Sequence, residues 1–102
     1  MSTQLPAVEK KKFLDRRIAE CELFKDFISN NNSEGYSRLC HQLKGSLKMW
    51  GFLNLSEVAA QTIFKYMPLN DDGIQRKSLL NQELEIYHSA LKNELKQVII
   101  SP

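Results

Sequence analysis

One short segment of the 102-residue sequence combines a nucleophile, two cations and a glycine. His41 is followed by Lys44, Gly45 and Lys48, which lie three, four and seven residues further along the chain. On an α-helix these intervals place side chains on one face, so the imidazole has two ammonium groups and a stretch of bare backbone beside it. Imidazole is a nucleophile and lysine attracts anions, and the combination suits a phosphoryl group.

Apolar residues around this segment predict an amphipathic helix whose histidine faces water. At ~100° per residue, His41 lies on the far side of that helix from the apolar stripe, beside Ser37. Glycine at the exposed position 45 costs the helix roughly 0.5 to 1 kcal/mol relative to alanine, which indicates a compensating role. The stripe recurs every three or four residues at Tyr36, Leu39, Cys40, Leu43, Leu47 and Trp50.

Composition favours one soluble globular domain over residues 1–102. Hydrophobic residues make up 42% of the chain and charged residues 25%, and this length is sufficient for a core. A net charge of +2 from interspersed basic and acidic residues argues against nucleic acid as a partner. The sequence has neither an apolar run near ~18 residues nor a signal-peptide core at its beginning. We therefore expect a cytoplasmic protein without membrane association.

The two cysteines do not suggest a metal site or a disulfide. Cys21 and Cys40 both fall on apolar helical positions, where cysteine usually behaves as a small buried hydrophobic residue. The sequence contains no C-x-x-C motif and no paired-histidine spacing.

The chain before His41 predicts one long helix and a polar turn. This first helix extends from Ala7 to about Asn30, and Phe13 and Phe27 widen its apolar stripe. Asparagines then break it, and Asn32 or Ser33 is expected to cap the helix that carries His41. The stripe of the first helix is Leu14, Ile18, Cys21, Phe24 and Ile28.

Two further helices are predicted after Gly51, which ends or bends the His41 helix. The third starts at Asn54 or Ser56 and stops before Pro68, and the segment 69–73 is a loop. The fourth extends from about Ile74 to Ile99. Their stripes are Leu55, Val58, Ala59, Thr62 and Tyr66 in the third helix, and Leu80, Leu84, Tyr87, Leu91, Leu95 and Val98 in the fourth.

Four amphipathic helices joined by short connections predict an all-α fold, an antiparallel up-down-up-down four-helix bundle, and we expect it to be monomeric. His88, next to the fourth stripe, is expected to lie at the edge of the core. Phe64 falls opposite the third stripe, which leaves open whether the outer packing covers it or a partner does.

The motif and its helical frame resemble the histidine-containing phosphotransfer (HPt) domain family. His41, Lys44, Gly45 and Gly51 match the pattern H-x-x-K-G-x-x-x-x-x-G, and the order of helices is similar over nearly the whole chain. The resemblance implies that His41 accepts a phosphoryl group from a receiver-domain aspartate and passes it to another receiver. The partners would be the receiver domain of a hybrid sensor kinase, a response regulator, or both.

The resemblance also assigns roles to the residues around the histidine. Lys44 would be the cation closest to the phosphoryl oxygens, and Gly45 would be the gap into which the receiver fits. From their positions near His41, Lys48 is expected to assist Lys44, and Ser37 and Arg38 are expected to contact the partner. Mg²⁺ and the aspartates would belong to the partner, so the chain itself needs no cofactor. It would be a phosphocarrier with a phosphohistidine intermediate, not an enzyme in its own right.

The sequence departs from the family pattern at Gln61 and at Cys40, which occupies a position that is commonly alanine, and a second function also stays open. Many family members hold the histidine ring with a glutamine of the third helix, but Gln61 points away from the apolar stripe by its spacing. The alternative is a helical adaptor that binds a signalling partner through an apolar face without phosphotransfer. A true active site is less expected, because no second acid, base or nucleophile is placed near His41 by its spacing.

Overall fold

The computed structural model describes residues 7–66 and 76–100, without the side chains of residues 66, 99 and 100, and these ranges contain helices and no strand. This confirms the all-α prediction. In chain order the elements are α1 (Ala7–Ser29), α2 (Ser33–Met49), α3 (Leu53–Gln61), a 3₁₀ turn (Phe64–Tyr66) and α4 (Lys77–Ile100).

The apolar stripes of the helices meet in one core. α1 packs against α2 and α4, most extensively against α4, and α3 packs against both α2 and α4. Full burial of a large apolar side chain contributes about 1.5 to 3 kcal/mol relative to exposure, so this core fixes the rotation of each helix. The largest fully buried side chains are Tyr36, Tyr87, Phe24, Leu14, Ile28, Leu43, Leu47, Ile63, Leu80, Leu84 and Leu91.

The polar turn between α1 and α2 fixes where the His41 helix begins. Asn31 takes a left-handed conformation with φ +57°, which asparagine tolerates better than most residues. The side chain of Asn32 then accepts a 2.9 Å hydrogen bond from the Gly35 amide, as an N-cap does. Of the two predicted caps, the structure therefore selects Asn32.

A Schellman motif ends α2, and Gly51 provides the left-handed residue that this motif requires. Gly51 has φ +81°, and its N–H donates to the Lys48 carbonyl at 3.0 Å. The N–H of Phe52 donates to the Leu47 carbonyl, also at 3.0 Å. The chain thus turns directly from α2 into α3.

α3 begins and ends earlier than predicted. It starts at Leu53 rather than at Asn54 or Ser56, without a side-chain cap, because the buried ring of Phe52 stacks on Phe13 and fixes the entry of the chain. The Ser56 amide instead donates to the Phe52 carbonyl at 2.9 Å.

The end of α3 lies at Gln61, well before Pro68, which is outside the described residues. Thr62 leaves helical geometry with ψ −90°, and its hydroxyl donates back to the Val58 carbonyl at 2.8 Å. The carbonyl of the next residue, Ile63, accepts a 2.9 Å hydrogen bond from the buried Tyr36 hydroxyl. These two bonds stop the helix, so its stripe cannot be extended to position 66.

This break decides the position of Phe64, which the sequence left open. A helical projection of α3 through residue 64 would point the ring away from the core. In the 3₁₀ turn the ring is instead only 8% exposed and belongs to the core.

α4 is close to its predicted extent. It runs from Lys77 to Ile100, one residue beyond the expected end, whereas the expected start at Ile74 and the predicted loop at 69–73 lie outside the described residues. Its first four stripe residues are buried, and Leu95 and Val98 are partly buried against the core. His88 is half-buried, and burial is the main cause that lowers its pKa.

Candidate functional site

α2 presents His41 to solvent because the opposite side of the helix is fixed in the core. Cys40, Leu43 and Leu47 are at most 2% exposed, whereas the His41 side chain is exposed. Within the described ranges no hydrogen bond or ion pair holds the imidazole, so a nucleophilic ring nitrogen is accessible to a reactant.

Gly45 leaves an open space on the same face. Apart from its chain neighbours and the local helix backbone, a Cβ atom built at this position has no atom of the described residues within 4 Å, so close helix packing does not account for the glycine. Lys44 and Lys48 flank it and are exposed, and neither makes an ion pair within the described ranges. This face of α2 therefore has two lysines that are not paired with described carboxylates, next to a backbone segment that no side chain covers.

Arg38 and Ser37, the two predicted contact residues that precede His41, differ in exposure. Arg38 is exposed, and its guanidinium lies 2.7 Å from the Glu34 carboxylate one turn earlier. Ser37 is half-buried and already has a partner. An anion on a docking protein would have to compete with Glu34 for Arg38, whereas Lys44 and Lys48 need no such exchange.

Gln61 does not reach the histidine. Its side-chain amide lies 3.4 Å from the Glu57 carboxylate on the same exposed side of α3. The structure therefore gives the imidazole no glutamine partner from this helix.

A groove of about 360 Å³ with a mixed polar and apolar lining lies between α1 and α2 beside Arg38. Leu23 is 47% exposed there, Phe27 is half-buried, and Leu39 forms part of the lining. Leu23 lies outside the predicted stripe of α1, so the stripe did not point to this groove. A leucine outside the apolar stripe was the sequence signal that could have indicated this groove.

Arg17 forms a largely buried polar cluster that the sequence reasoning missed. Its Nε lies 2.8 Å from one Glu20 oxygen, as an ion pair that is not aligned as a hydrogen bond, and its Nη2 donates to the other at 3.1 Å. Nη1 lies 3.3 Å from the Ser46 hydroxyl, and the guanidinium lies 4.6 Å from the centre of the Phe13 ring. Burial raises the pKa of Glu20 despite the nearby Arg17 and Arg16.

Other kinds of site find little support in the described residues. Burial raises the pKa of both Cys21 and Cys40 to about 12, so neither thiol is a ready nucleophile. Over residues 7–66 and 76–100, no group of three or more histidine, cysteine or acidic side chains could hold a metal ion. None of the helices described is both long and apolar enough to span a membrane.

Comparison with known proteins adds no relative to this description. A scan against family models and searches of curated proteins and of solved structures find no match to the chain. Functional assignment therefore depends on the exposed histidine, its lysines and the open glycine.

Proposed function

We propose that this chain is a histidine phosphotransfer protein of a multistep phosphorelay, with His41 as the phosphoacceptor. The observation that carries the proposal is the exposed imidazole one helical turn before Gly45, where an added Cβ atom would contact no neighbouring element of the described structure within 4 Å. A glycine that costs stability at an open position is explained if another protein must approach the backbone there.

The proposed reaction is a phosphoryl exchange between two proteins. The unprotonated ring nitrogen of His41 attacks phosphorus in the partner's aspartyl phosphate, a P–N bond forms, and the P–O bond to the carboxylate breaks. The aspartate leaves as a carboxylate, and the reverse sequence delivers the group to a second receiver. Such transfers depend on positioning and charge stabilisation, which Lys44 and Lys48 would provide.

An antiparallel up-down-up-down topology is part of the proposal. Contacts between α1 and α2 join Phe13 to Trp50 and Arg17 to Ser46, so residue numbers rise on one helix as they fall on the other. Between α1 and α4 the same reversal relates the contacts Lys25–Glu85 and Ser29–Lys77.

The proposed partner is the receiver domain of a hybrid sensor kinase or response regulator, and the site of action is the cytoplasm. The groove that contains Leu23 and Phe27 lies beside Arg38, one helical turn from His41 and in reach of a protein centred there. A monomer is proposed because the histidine face must stay open to this partner.

A labelling experiment tests the proposal. Receiver domains loaded with ³²P from acetyl phosphate are mixed with the parent chain, with His41→Gln and with a His88→Gln control. We expect the parent and the control to take label as an acid-labile, alkali-stable phosphoramidate, and His41→Gln to take none while keeping its helical spectrum. Label on His41→Gln would contradict the assignment. Binding of receivers without label on the parent would favour the adaptor alternative.

A further inference from the structure

A second groove of about 280 Å³ lies between the first half of α1 and the end of α2. It is separate from the groove beside Arg38 and is formed by different residues of the same two helices. We call it the basic groove, and its lining includes Lys12, Phe13, Arg16, Arg17, Ser46 and Trp50.

The charge of the basic groove is not balanced by its own carboxylates. Arg17 is neutralised by Glu20, and Lys12 lies 4.0 Å from Glu9, an exposed pair of the kind that contributes little. Arg16 also lines the groove and is exposed; it interacts with Glu20 electrostatically, but within the described ranges it has no carboxylate within ion-pair distance. The groove therefore attracts an anion, with Arg16 as its available bidentate donor.

The floor of the groove is aromatic and rigid. The ring of Phe13 stacks on Trp50 with centroids 4.6 Å apart, and Arg17 is held over the same ring by its bonds to Glu20 and Ser46. Trp50 is only half-buried, so part of its surface remains available. Tryptophan and arginine are the residues that most often dominate binding energy at protein interfaces.

The basic groove lies beyond the edge of an interface centred on His41. Trp50 follows His41 by nine residues, which is about 14 Å along the helix and about 180° around it, so the two side chains lie on opposite sides of α2. A standard interface of roughly 800 Å² per partner extends about 16 Å from its centre, so the groove is reached only by a segment of the docked protein that extends round the helix. Met49, which is 78% exposed, lies on the helix surface between the two and provides an apolar path.

We propose that the basic groove binds an acidic segment of the docking protein, with a carboxylate on Arg16 and a neighbouring apolar side chain against Trp50. As a contact outside the interface centred on His41, it rests on the proposed function and contributes to the choice of partner. A protein segment is favoured over nucleic acid because the net charge of the chain is only +2 and Glu9 lies at the groove.

The only tryptophan of the chain lies in this groove, so its fluorescence reports occupancy directly. The probe is a blocked five-residue peptide with a central phenylalanine and two acidic residues on each side. The control peptide replaces the acids with glutamine and asparagine. At low salt we expect the acidic peptide to shift the Trp50 emission with a Kd of about 1 mM or below, and the control peptide to have no effect.

Two charge-reversed variants separate the groove from general electrostatics. Arg16→Glu should abolish the response, whereas Lys92→Glu, which makes the same charge change on the exposed surface of α4, should retain it. An equal response to both peptides, or no response to the acidic one, would overturn the proposal. A stronger response to a single-stranded oligonucleotide would overturn it in favour of a nucleic-acid site.

Phosphotransfer kinetics distinguish failure of the groove from failure of the proposed function. With a receiver that labels His41, Arg16→Glu should raise the half-saturating receiver concentration about tenfold and leave the maximal rate unchanged. Unchanged half-saturation in Arg16→Glu would refute the groove while leaving the phosphocarrier intact. If no receiver labels His41 but the peptide response depends on Arg16, the groove stands as a binding site and the phosphocarrier function fails.

Discussion

Gly45 and Gly35 lie on the same helix, but a side chain at each would have different surroundings. Beyond the local helix backbone, a Cβ atom at position 45 meets no described atom within 4 Å, whereas at position 35 it would lie 2.7 Å and 2.8 Å from ring atoms of Phe27. The Asn32 amide that belongs to the helix cap is 3.0 Å away. Helix propensity favours alanine at both positions, so packing decides the difference.

We therefore expect Gly45→Ala and Gly35→Ala to change stability in opposite directions. The first should raise the free energy of unfolding by about 0.5 to 1 kcal/mol, because propensity acts alone. Gly35→Ala should lower the free energy of unfolding by about 1 kcal/mol, because displacing Phe27 and the helix cap costs more than the gain in helix propensity. Urea unfolding of the two variants measures both values.

Phosphotransfer by the same variants tests why position 45 is glycine. If a receiver approaches the backbone there, Gly45→Ala should slow transfer and Gly45→Gln should slow it further, although both proteins fold. Transfer by Gly45→Gln at the parent rate would show that docking does not use this turn.

At the scale of elements, one hydrogen bond joins the His41 helix to the turn that ends α3. Tyr36 and Tyr87 are both fully buried, and the Tyr36 hydroxyl donates to the Ile63 carbonyl at 2.9 Å. Within the described ranges the Tyr87 hydroxyl is buried without a hydrogen-bond partner. The two residues thus form a natural matched pair.

Tyr36→Phe should lower the free energy of unfolding by about 1 to 2 kcal/mol, since it leaves the buried Ile63 carbonyl with only a weak thiol contact from Cys40 at 4.0 Å. Tyr87→Phe should be neutral or stabilising, because it removes a buried polar atom that has no protein partner. Thermal unfolding of both variants is the measurement. Equal losses would mean that Tyr87 has a partner, such as a buried water.

The hydrogen bond from Tyr36 to Ile63 shows which parts of the architecture the sequence can predict. Local signals place α1, α2 and the exposed His41 correctly: apolar repeats of three and four residues, a glycine and a run of asparagines. The end of α3 depends on Tyr36, 27 residues before Ile63. The buried state of Phe64 follows from that long-range bond, which no window over α3 contains.

The polar cluster was missed for a related reason. A periodicity reading assigns arginine to the surface, whereas Arg17 is 11% exposed because Glu20, Ser46 and Phe13 surround its guanidinium. Two of these partners lie one turn away on α1 and were visible as spacing. Ser46 is on α2, so the packing of the two helices was needed to recognise the basic groove.

For the whole molecule, His88 predicts a loss of stability on mild acidification. Burial and then Lys92 lower the pKa of His88 from 6.5, against the carboxylates Glu85 and Glu22, while Lys25 lowers it further. The unfolded chain therefore binds this proton at a higher pH than the folded chain does. The contribution of His88 to the free energy of unfolding is fully present above about pH 6.5, and it is lost as the pH falls through the pKa that His88 has in the folded chain.

His88→Gln should accordingly show a smaller fall in melting temperature between pH 7.5 and 5.5 than the parent does. The raised pKa of Glu20 acts in the opposite sense, since its stabilising effect is lost as pH rises from 4.5, but it is common to both proteins. Parallel curves for the two proteins would show that other groups cause the slope.

The alkylation rates of the two buried cysteines report how often the helices around them open. Cys21 on α1 and Cys40 on α2 are each 0% exposed with thiol pKa values near 12, so an alkylating reagent can modify them only after the chain around them opens. Mass spectrometry resolves the two adducts, and each rate reports the opening of its own helix. If α1 and α2 separate only in global unfolding, Cys21 and Cys40 are alkylated at the same rate. Faster labelling of Cys40 would mean that the helix bearing the histidine detaches while the rest of the bundle stays closed.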